Sequence, residues 1–376
     1  MGTSAAGSFF QVVLGVKHIA GAGRLLTTRL CRADCRSPVE AVTTRQQRVE
    51  WVDCCKGICI VLVVYGHIEG GLQAAHAIPS DSIFATLRDW VYLFHIPAFF
   101  FVSGLFAQKL CDRPLLEFLR NRARVLLYPY LVWTAVVLAS QFAVSSMVNT
   151  PPSPSRALEC LWKPYGVGLW FLYALFLASL LFWCLRHLRI PPVASMVIGT
   201  ALFLLAFRNG LGPWYILNEA MRHAIYFIVG GCYPGFVSAP VQFARRWRLV
   251  AVAVLLFTLM TLSWIAHSDP TGFLKLGRAF LGIAAVVCVA MAVARTAMGR
   301  FWTLLGASSL EIYLAHPLWG TAARGVLIRL GVHTPLVFVV SAVFLGVAGS
   351  YATAALCKRF NFPYLFRWPV RRADQA

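Results

Sequence analysis

Long apolar stretches, each near the length of one membrane crossing, recur along most of the chain and are separated by short polar segments. A hydrocarbon core of about 30 Å takes roughly 20 helical residues to cross. The stretches are continuously apolar rather than alternating, which argues against barrel strands and favours helices. The pattern predicts an all-α, polytopic membrane bundle of about ten transmembrane helices, at residues 52–70, 88–107, 125–147, 167–185, 192–207, 221–238, 248–267, 277–298, 303–322 and 334–356.

Composition and charge agree with a membrane location. The chain is 59% hydrophobic and 13% charged, which is too apolar for a soluble domain. Its 34 basic and 14 acidic residues give a net charge of +20, and the basic ones concentrate in alternate loops. This distribution predicts that both termini are cytoplasmic. Basic groups split across a bilayer make no single phosphate-reading surface, so no nucleic-acid partner is expected.

The chain divides into three predicted parts. Residues 1–50 form a basic cytoplasmic arm, residues 51–360 a membrane domain, and residues 361–376 a cytoplasmic tail. The 11 cysteines form no metal-binding or disulfide pattern, because most of them lie in apolar runs where Cys serves as a small hydrophobe. No metal is therefore expected.

The first span carries the best set of ionisable residues, in the stretch WVDCCKGICIVLVVYGHIEGG. Asp53, Lys56 and His67 share one helical face, and Lys56 lies about 16 Å below His67 at 1.5 Å per residue. Lys56 would then receive the phosphates of a cytoplasmic acyl thioester, and His67 would take the proton of an acceptor hydroxyl outside. Alternatively, Lys56 snorkels and pairs with Asp53 while His67 caps the helix.

The next two spans add polar groups near their ends. His95, in FHIPAFFFVSG, lies at the depth of His67 and predicts a shared outward pocket, although a histidine hydrogen-bonded at the interface fits as well. Ser103 lies deeper, where a hydroxyl beside glycine usually serves helix packing. Arg122 and Arg124 precede the third span and suit the phosphates of coenzyme A, although cytoplasmic topology explains them equally well.

The ninth span contains GASSLEIYLAHPLWG, which combines an acid, a tyrosine and a histidine. Tyr313 and His316 lie on one face, and Pro317 interrupts the helix just after His316. Glu311 is an intramembrane acid that needs a basic partner from a neighbouring helix, so structural pairing is its default interpretation.

These motifs, in this order, resemble the acyltransferase family 3 membrane proteins over about residues 50–360, and FHIPAFFFVSG looks most like the fucose 4-O-acetylase subgroup. The resemblance implies transfer of an acyl group, usually acetyl, from cytoplasmic acetyl-CoA to a hydroxyl of an envelope glycan or glycolipid at the outer face of a bacterial inner membrane. It implies that His67 is catalytic, that Lys56 serves the donor, and that His95 supports them. The predicted substrate-binding set is Asp53, Ser103, Arg122, Arg124, Glu311, Tyr313 and His316.

Two other functions fit the same residues. A permease or flippase for a glycan or lipid-linked intermediate would use Lys56, Glu311 and the histidines as a relay. In a catalytically inactive membrane scaffold, each of these residues would have a structural role only. The predicted outer loop FRNGLGPWYILNEAMRH, with Asn209, Asn218 and Arg222, suits contact with a sugar, and Trp214 and Tyr215 suit both a sugar and the interface.

Overall fold

The structure is a computed structural model that describes residues 49–143, 153, 155, 159–160, 168–208, 214–238, 246–267, 271–332 and 334–369. Most of the predicted arm at residues 1–50, Asn209 in the predicted outer loop and the last residues of the predicted tail lie outside these ranges. Throughout the described ranges the regular structure is helical, without a strand. The predicted all-α fold is confirmed.

The helices are numbered α1 to α15 in chain order among the described residues. They are α1 Glu50–Ala74, α2 Ile83–Tyr92, α3 His95–Gly104, α4 Gln108–Cys111, α5 Leu115–Arg122, α6 Tyr128–Ala143, α7 Trp170–His187, α8 Pro192–Arg208, α9 Tyr215–Cys232, α10 Gly235–Ser238, α11 Arg246–Ala266, α12 Gly272–Val293, α13 Ala297–Ala307, α14 Ser309–Arg329 and α15 Pro335–Arg359. A π-helical turn, Ala123–Leu127, joins α5 to α6, and a 3₁₀ turn, Pro363–Leu365, follows α15.

Six helical segments in the described ranges are long and apolar enough to cross a membrane. They are Glu50–Ala74, Leu115–Ala143, Trp170–His187, Arg246–Ala266, Gly272–Val293 and Pro335–Arg359. The chain is therefore a membrane protein. The count of ten spans and the orientation of the termini stay predictions.

The second and ninth predicted spans are wrong as single helices. The second breaks at Leu93 and Phe94 because Pro97 has no N–H for the Leu93 carbonyl and its ring crowds that carbonyl. The ninth breaks at Ser308, whose N–H bonds to the Leu305 carbonyl while its own carbonyl accepts the Ile312 N–H. Ser308 thus ends α13 and begins α14. Helix α14 then continues through Pro317 to Arg329, so the predicted interruption after His316 is wrong.

The predicted outer loop at residues 207–223 is also partly wrong, because α9 already begins at Tyr215. The polar residues of its first turns pair with one another along the helix. Glu219 accepts a hydrogen bond from Arg222 at 3.4 Å, and its Oε2 lies 3.6 Å from His223 Nδ1. Pairs at three- and four-residue spacing allow a helix to keep such groups without a loop.

Two glycine crossings bring helix backbones into direct contact. A Cβ on Gly57 of α1 would overlap a carbonyl oxygen of α13, and a Cβ on Gly306 of α13 would overlap one of α1. Gly104 of α3 and Gly230 of α9 face each other's helices in the same reciprocal way. Such small-residue contacts let helices approach closely in a membrane. They fix α1 against α13 and α3 against α9.

Helix α1 lies at the centre and runs parallel to α14. Gly306, just before α14, packs near Gly57, and farther along, Arg324 of α14 donates to the Gly71 carbonyl at 3.2 Å. The bundle therefore has two ends. The one that contains Lys56 is called the lysine end, and the one that contains His67 is called the histidine end.

Candidate active site

A cavity of about 1090 Å³ lies at the histidine end. Its wall is formed by α1, the end of α2, the last turns of α6, the start of α7, and parts of α3, α9 and α14. It is lined by four histidines, His67, His95, His223 and His316, which come from four different helices. Within the described residues, no three His, Cys, Asp or Glu side chains converge in a way that could hold a metal ion.

His67 lies against the segment that starts α7. Gly168 has φ +71°, and a Cβ placed there would lie 3.4 Å from His67 Cε1. The Tyr313 hydroxyl holds this segment, because it donates to the Gly168 carbonyl at 3.1 Å and accepts the Phe171 N–H at 3.2 Å. Tyr313 thus fixes the backbone beside His67 without lining the cavity itself. Glycine suits position 168 because it alone adopts positive φ without strain and adds no side chain toward His67.

His316 is the closest ring neighbour of His67. The two ring centroids are 4.9 Å apart, with planes tilted by 51°. His316 is 1% exposed, and its Nδ1 donates to the Tyr313 carbonyl at 2.6 Å. This contact joins two of the predicted motifs, one on the first span and one on the ninth.

His95 and His223 line the cavity in the same local manner. His95 Nδ1 donates to the Val91 carbonyl at 2.7 Å, and His223 Nδ1 donates to the Glu219 carbonyl at 2.8 Å. The His95 ring packs on Tyr92, and the His223 ring stacks on Phe100, each with centroids 4.8 Å apart. A carbonyl oxygen cannot donate, so in the neutral rings Nδ1 carries the proton and Nε2 carries the lone pair.

Charged groups also line the cavity, and one of them belongs to a buried ion pair. Arg88 Nη1 lies 2.8 Å from the Glu69 carboxylate, and Glu69 is fully buried. The same guanidinium contacts Gln73 at 2.8 Å and Asp89 at 2.9 Å. Arg324 and Glu219 line the cavity as well. The wall is thus both aromatic and charged, as expected for a site that binds a polar ligand.

The lysine end holds the other predicted residues of α1. Lys56 Nζ lies 3.4 Å from Asp53 Oδ1 and 5.8 Å from the centroid of the Phe106 ring. Asp53 and Lys56 lie on the same continuous helix as His67, Glu50–Ala74, but neither of them lines the cavity. Ser103, near the end of α3, is half-buried and does not line the cavity either.

The basic residues before α6 are separated from one another. Arg122 is half-buried over the Phe118 ring, and its Nε is buried without a hydrogen-bond partner. Arg124 is exposed and lies over the ring of Trp368, in the segment that follows α15. Of the two, Arg122 is thus the better-placed side chain for an anionic ligand, because its buried Nε is available to donate.

The segment after α15 folds back on the start of α6. Trp133 Nε1 donates to the Leu365 carbonyl at 2.7 Å, and the Tyr128 hydroxyl donates to the Tyr364 carbonyl at 2.8 Å. Arg367, in the same segment, lies 3.9 Å from the buried Glu311. The basic partner expected for Glu311 thus comes from the segment after the last helix rather than from a neighbouring helix.

The structure brings together three of the predicted site residues, His67, His95 and His316, in one cavity. The other predicted residues lie outside it: Asp53, Lys56, Ser103, Arg122, Arg124, Glu311 and Tyr313. Sequence reasoning missed His223, Gly168 and Arg88. The signal for His223 was its spacing of four from Glu219, which is typical of an amphipathic helix turn rather than of the predicted loop.

Comparison with known proteins adds one match. A family model described as an acyltransferase domain matches residues 49–355, which is most of the chain. No curated protein and no solved structure matches the chain.

Proposed function

The chain belongs to the acyltransferase 3 family and is an acyltransferase; on this basis we propose that it moves an acetyl group from acetyl-CoA to a hydroxyl of an envelope glycan or glycolipid. The acceptor binds in the four-histidine cavity, and His67 acts at the reacting centre as general base or acyl relay. The proposal includes ten spans in a bacterial inner membrane, cytoplasmic termini and a place in the fucose 4-O-acetylase-like subgroup. The histidine end then faces outward.

The observation that carries this proposal is the position of His67 in the cavity. His67 is half-buried there, His316 lies 4.9 Å away, and the lining includes Trp170 and Tyr215. At about 1090 Å³ the cavity is slightly larger than the usual range for ligand sites, so it has room for a sugar unit. Aromatic faces together with hydrogen-bonding groups suit a carbohydrate acceptor.

Three cations support a donor site at the lysine end. Lys56 lies three turns before His67 on α1, and Arg122 and Arg124 precede α6. The buried Nε of Arg122 has no hydrogen-bond partner among the described residues, and a phosphate oxygen would supply one. Between Lys56 and His67, Ile60 and Val64 are buried, so the proposed route requires the packing around α1 to open at this level.

The experiment is labelling of membranes from radioactive acetyl-CoA, with and without the protein. Membranes that contain it should incorporate label into a hydroxyl-bearing acceptor, and His67→Ala should abolish that incorporation. His187→Ala is the matched control, because His187 is also a histidine on a candidate membrane span but is exposed and lies outside the cavity. Membranes that contain His187→Ala should incorporate as much label as membranes that contain the wild-type protein.

Two results would overturn the proposal. One is unchanged labelling by a well-folded His67→Ala protein, which removes His67 from the reaction. The other is a wild-type protein that incorporates no label but is required for movement of a glycan across the membrane, which would make it a transporter.

A further inference from the structure

One buried nitrogen in the cavity wall lacks a hydrogen-bond partner. His316 is 1% exposed, and among the described residues its buried Nε2 has no hydrogen-bond partner. A buried polar atom left unsatisfied costs about 1–3 kcal/mol, so such an atom calls for an explanation. A ligand hydroxyl in the cavity would supply the missing partner.

Pro317 explains how the His316 ring is held. With any other residue at position 317 of α14, its N–H would bond to the Tyr313 carbonyl, but proline has no N–H, so the helix continues with this one bond missing. His316 Nδ1 donates to that carbonyl at 2.6 Å instead. Because the carbonyl only accepts, Nδ1 must carry the proton, and Nε2 of the neutral ring keeps its lone pair. The sequence His-Pro thus fixes both the tautomer and the position of a base.

His67 is held differently. Among the described residues, none forms a hydrogen bond with the His67 ring, which packs on the His316 ring and lies beside Gly168. It is also more exposed to the cavity than His316. The two histidines therefore differ: a hydrogen bond holds the His316 ring, which carries an unsatisfied acceptor, whereas the His67 ring has no hydrogen bond from a described residue.

The other two histidines of the cavity lack this combination. His95 and His223 also bond to carbonyls through Nδ1. However, their nearest aromatic neighbours are Tyr92 and Phe100 rather than His67. Within the described part of the chain, His316 is the cavity histidine with a buried nitrogen lacking a partner.

From this geometry we infer that His316 Nε2 is the base that takes the proton of the acceptor hydroxyl, while His67 acts on the acyl group. The inference rests on the proposed function and divides its chemistry between two residues. His67 first attacks the thioester: a lone-pair nitrogen of its ring forms a bond to the acyl carbon, the C–S bond breaks, and the CoA thiolate leaves. The acceptor O–H bond then breaks and its proton goes to His316 Nε2, while the oxygen forms a bond to the acyl carbon and the bond between that carbon and the His67 nitrogen breaks, which restores His67. The proton passes from His316 to the thiolate or to solvent, which restores the neutral His316 ring.

Hydroxylamine separates the two roles, because its nitrogen is a strong nucleophile and needs no base to remove a proton before attack. Membranes with wild-type protein, His316→Ala or His67→Ala would receive acetyl-CoA. One set would use the hydroxyl acceptor of the membranes, with label counted, and a parallel set would use hydroxylamine, with acetohydroxamate measured above membranes that lack the protein. His316→Asn is a second variant, because its amide retains a donor for the Tyr313 carbonyl but supplies no base.

Both His316 variants should lose roughly 10²-fold or more of hydroxyl acylation, the range of general-base catalysis, and retain transfer to hydroxylamine near the wild-type rate. His67→Ala should lose both activities. Retained hydroxyl acylation in either His316 variant would overturn the inference. So would equal loss of both activities in both variants, which would indicate a structural role. Absence of hydroxyl acylation in wild type would instead refute the proposed function, and a wild-type protein that acylates the hydroxyl but not hydroxylamine would overturn the division of roles.

Discussion

The ion pair between Arg88 and Glu69 offers a quantitative test of the packing at the histidine end. Glu69 has no exposed surface, the Arg88 side chain is 24% exposed, and their charged atoms are 2.8 Å apart. With an effective dielectric constant of about 20, two charges 4 Å apart attract by about 4 kcal/mol. Removing one partner of a buried pair typically costs 3–5 kcal/mol, because the other charge stays buried.

The single substitutions should differ in cost. Arg88→Met leaves the Glu69 carboxylate buried without its cation, and we expect a loss of about 3 kcal/mol in unfolding free energy. Glu69→Gln leaves Arg88 with Asp89 at 2.9 Å and Gln73 at 2.8 Å, so its cost should be about 1 kcal/mol. The double variant removes both charges and should lose about 2 kcal/mol, which gives a coupling energy of about 2 kcal/mol.

The assay is denaturant unfolding of the purified protein in detergent, evaluated as a double-mutant cycle. The exposed pair Arg113–Glu117, with charged atoms 2.7 Å apart and side chains 42% and 57% exposed, is the control. Its coupling should be at most about 0.5 kcal/mol, because water screens an exposed i,i+4 pair. The buried pair does not stabilise this end of the bundle if Arg88→Met lowers the unfolding free energy no more than Arg113→Met does. The same conclusion follows if the two cycles give equal coupling energies.

Two glycine substitutions test the backbone geometry. Gly168→Ala should lower the unfolding free energy by about 1 kcal/mol because φ is positive there, and it should also reduce acylation because the new Cβ faces His67. Its control is Gly331→Ala, at φ +66° and outside the cavity, which should lower the unfolding free energy by a similar amount and leave acylation unchanged. Gly57→Ala should lower the yield of folded protein and its thermal stability in detergent, because the new Cβ overlaps a carbonyl of α13. Its control is Gly277→Ala, which has open space around the new Cβ and should match wild type in yield and thermal stability. Equal effects of a substitution and its control would contradict either prediction.

Much of the secondary structure could be predicted from the sequence because it depends on local properties. Continuous apolar runs predicted helices, and each of the ten predicted segments overlaps at least one described helix. The three-turn separation of Lys56 and His67 follows from helix geometry alone once both lie on one unbroken helix, and Glu50–Ala74 is unbroken. Local reasoning failed where helices stop, at Leu93 and Ser308, and where polar residues pair within α9.

Only the tertiary structure decided which of the polar side chains meet. His67 lies on α1 and His316 on α14, and their distance depends on how closely Gly57 and Gly306 let these helices approach. The same packing brings His223 into the cavity and leaves Glu311 with Arg367 at the lysine end. The sequence by itself determined the helices, the polar residues on each and their depth along it. The arrangement around His67 required the structure, because contacts between helices depend on how whole surfaces pack and not on spacing along the chain.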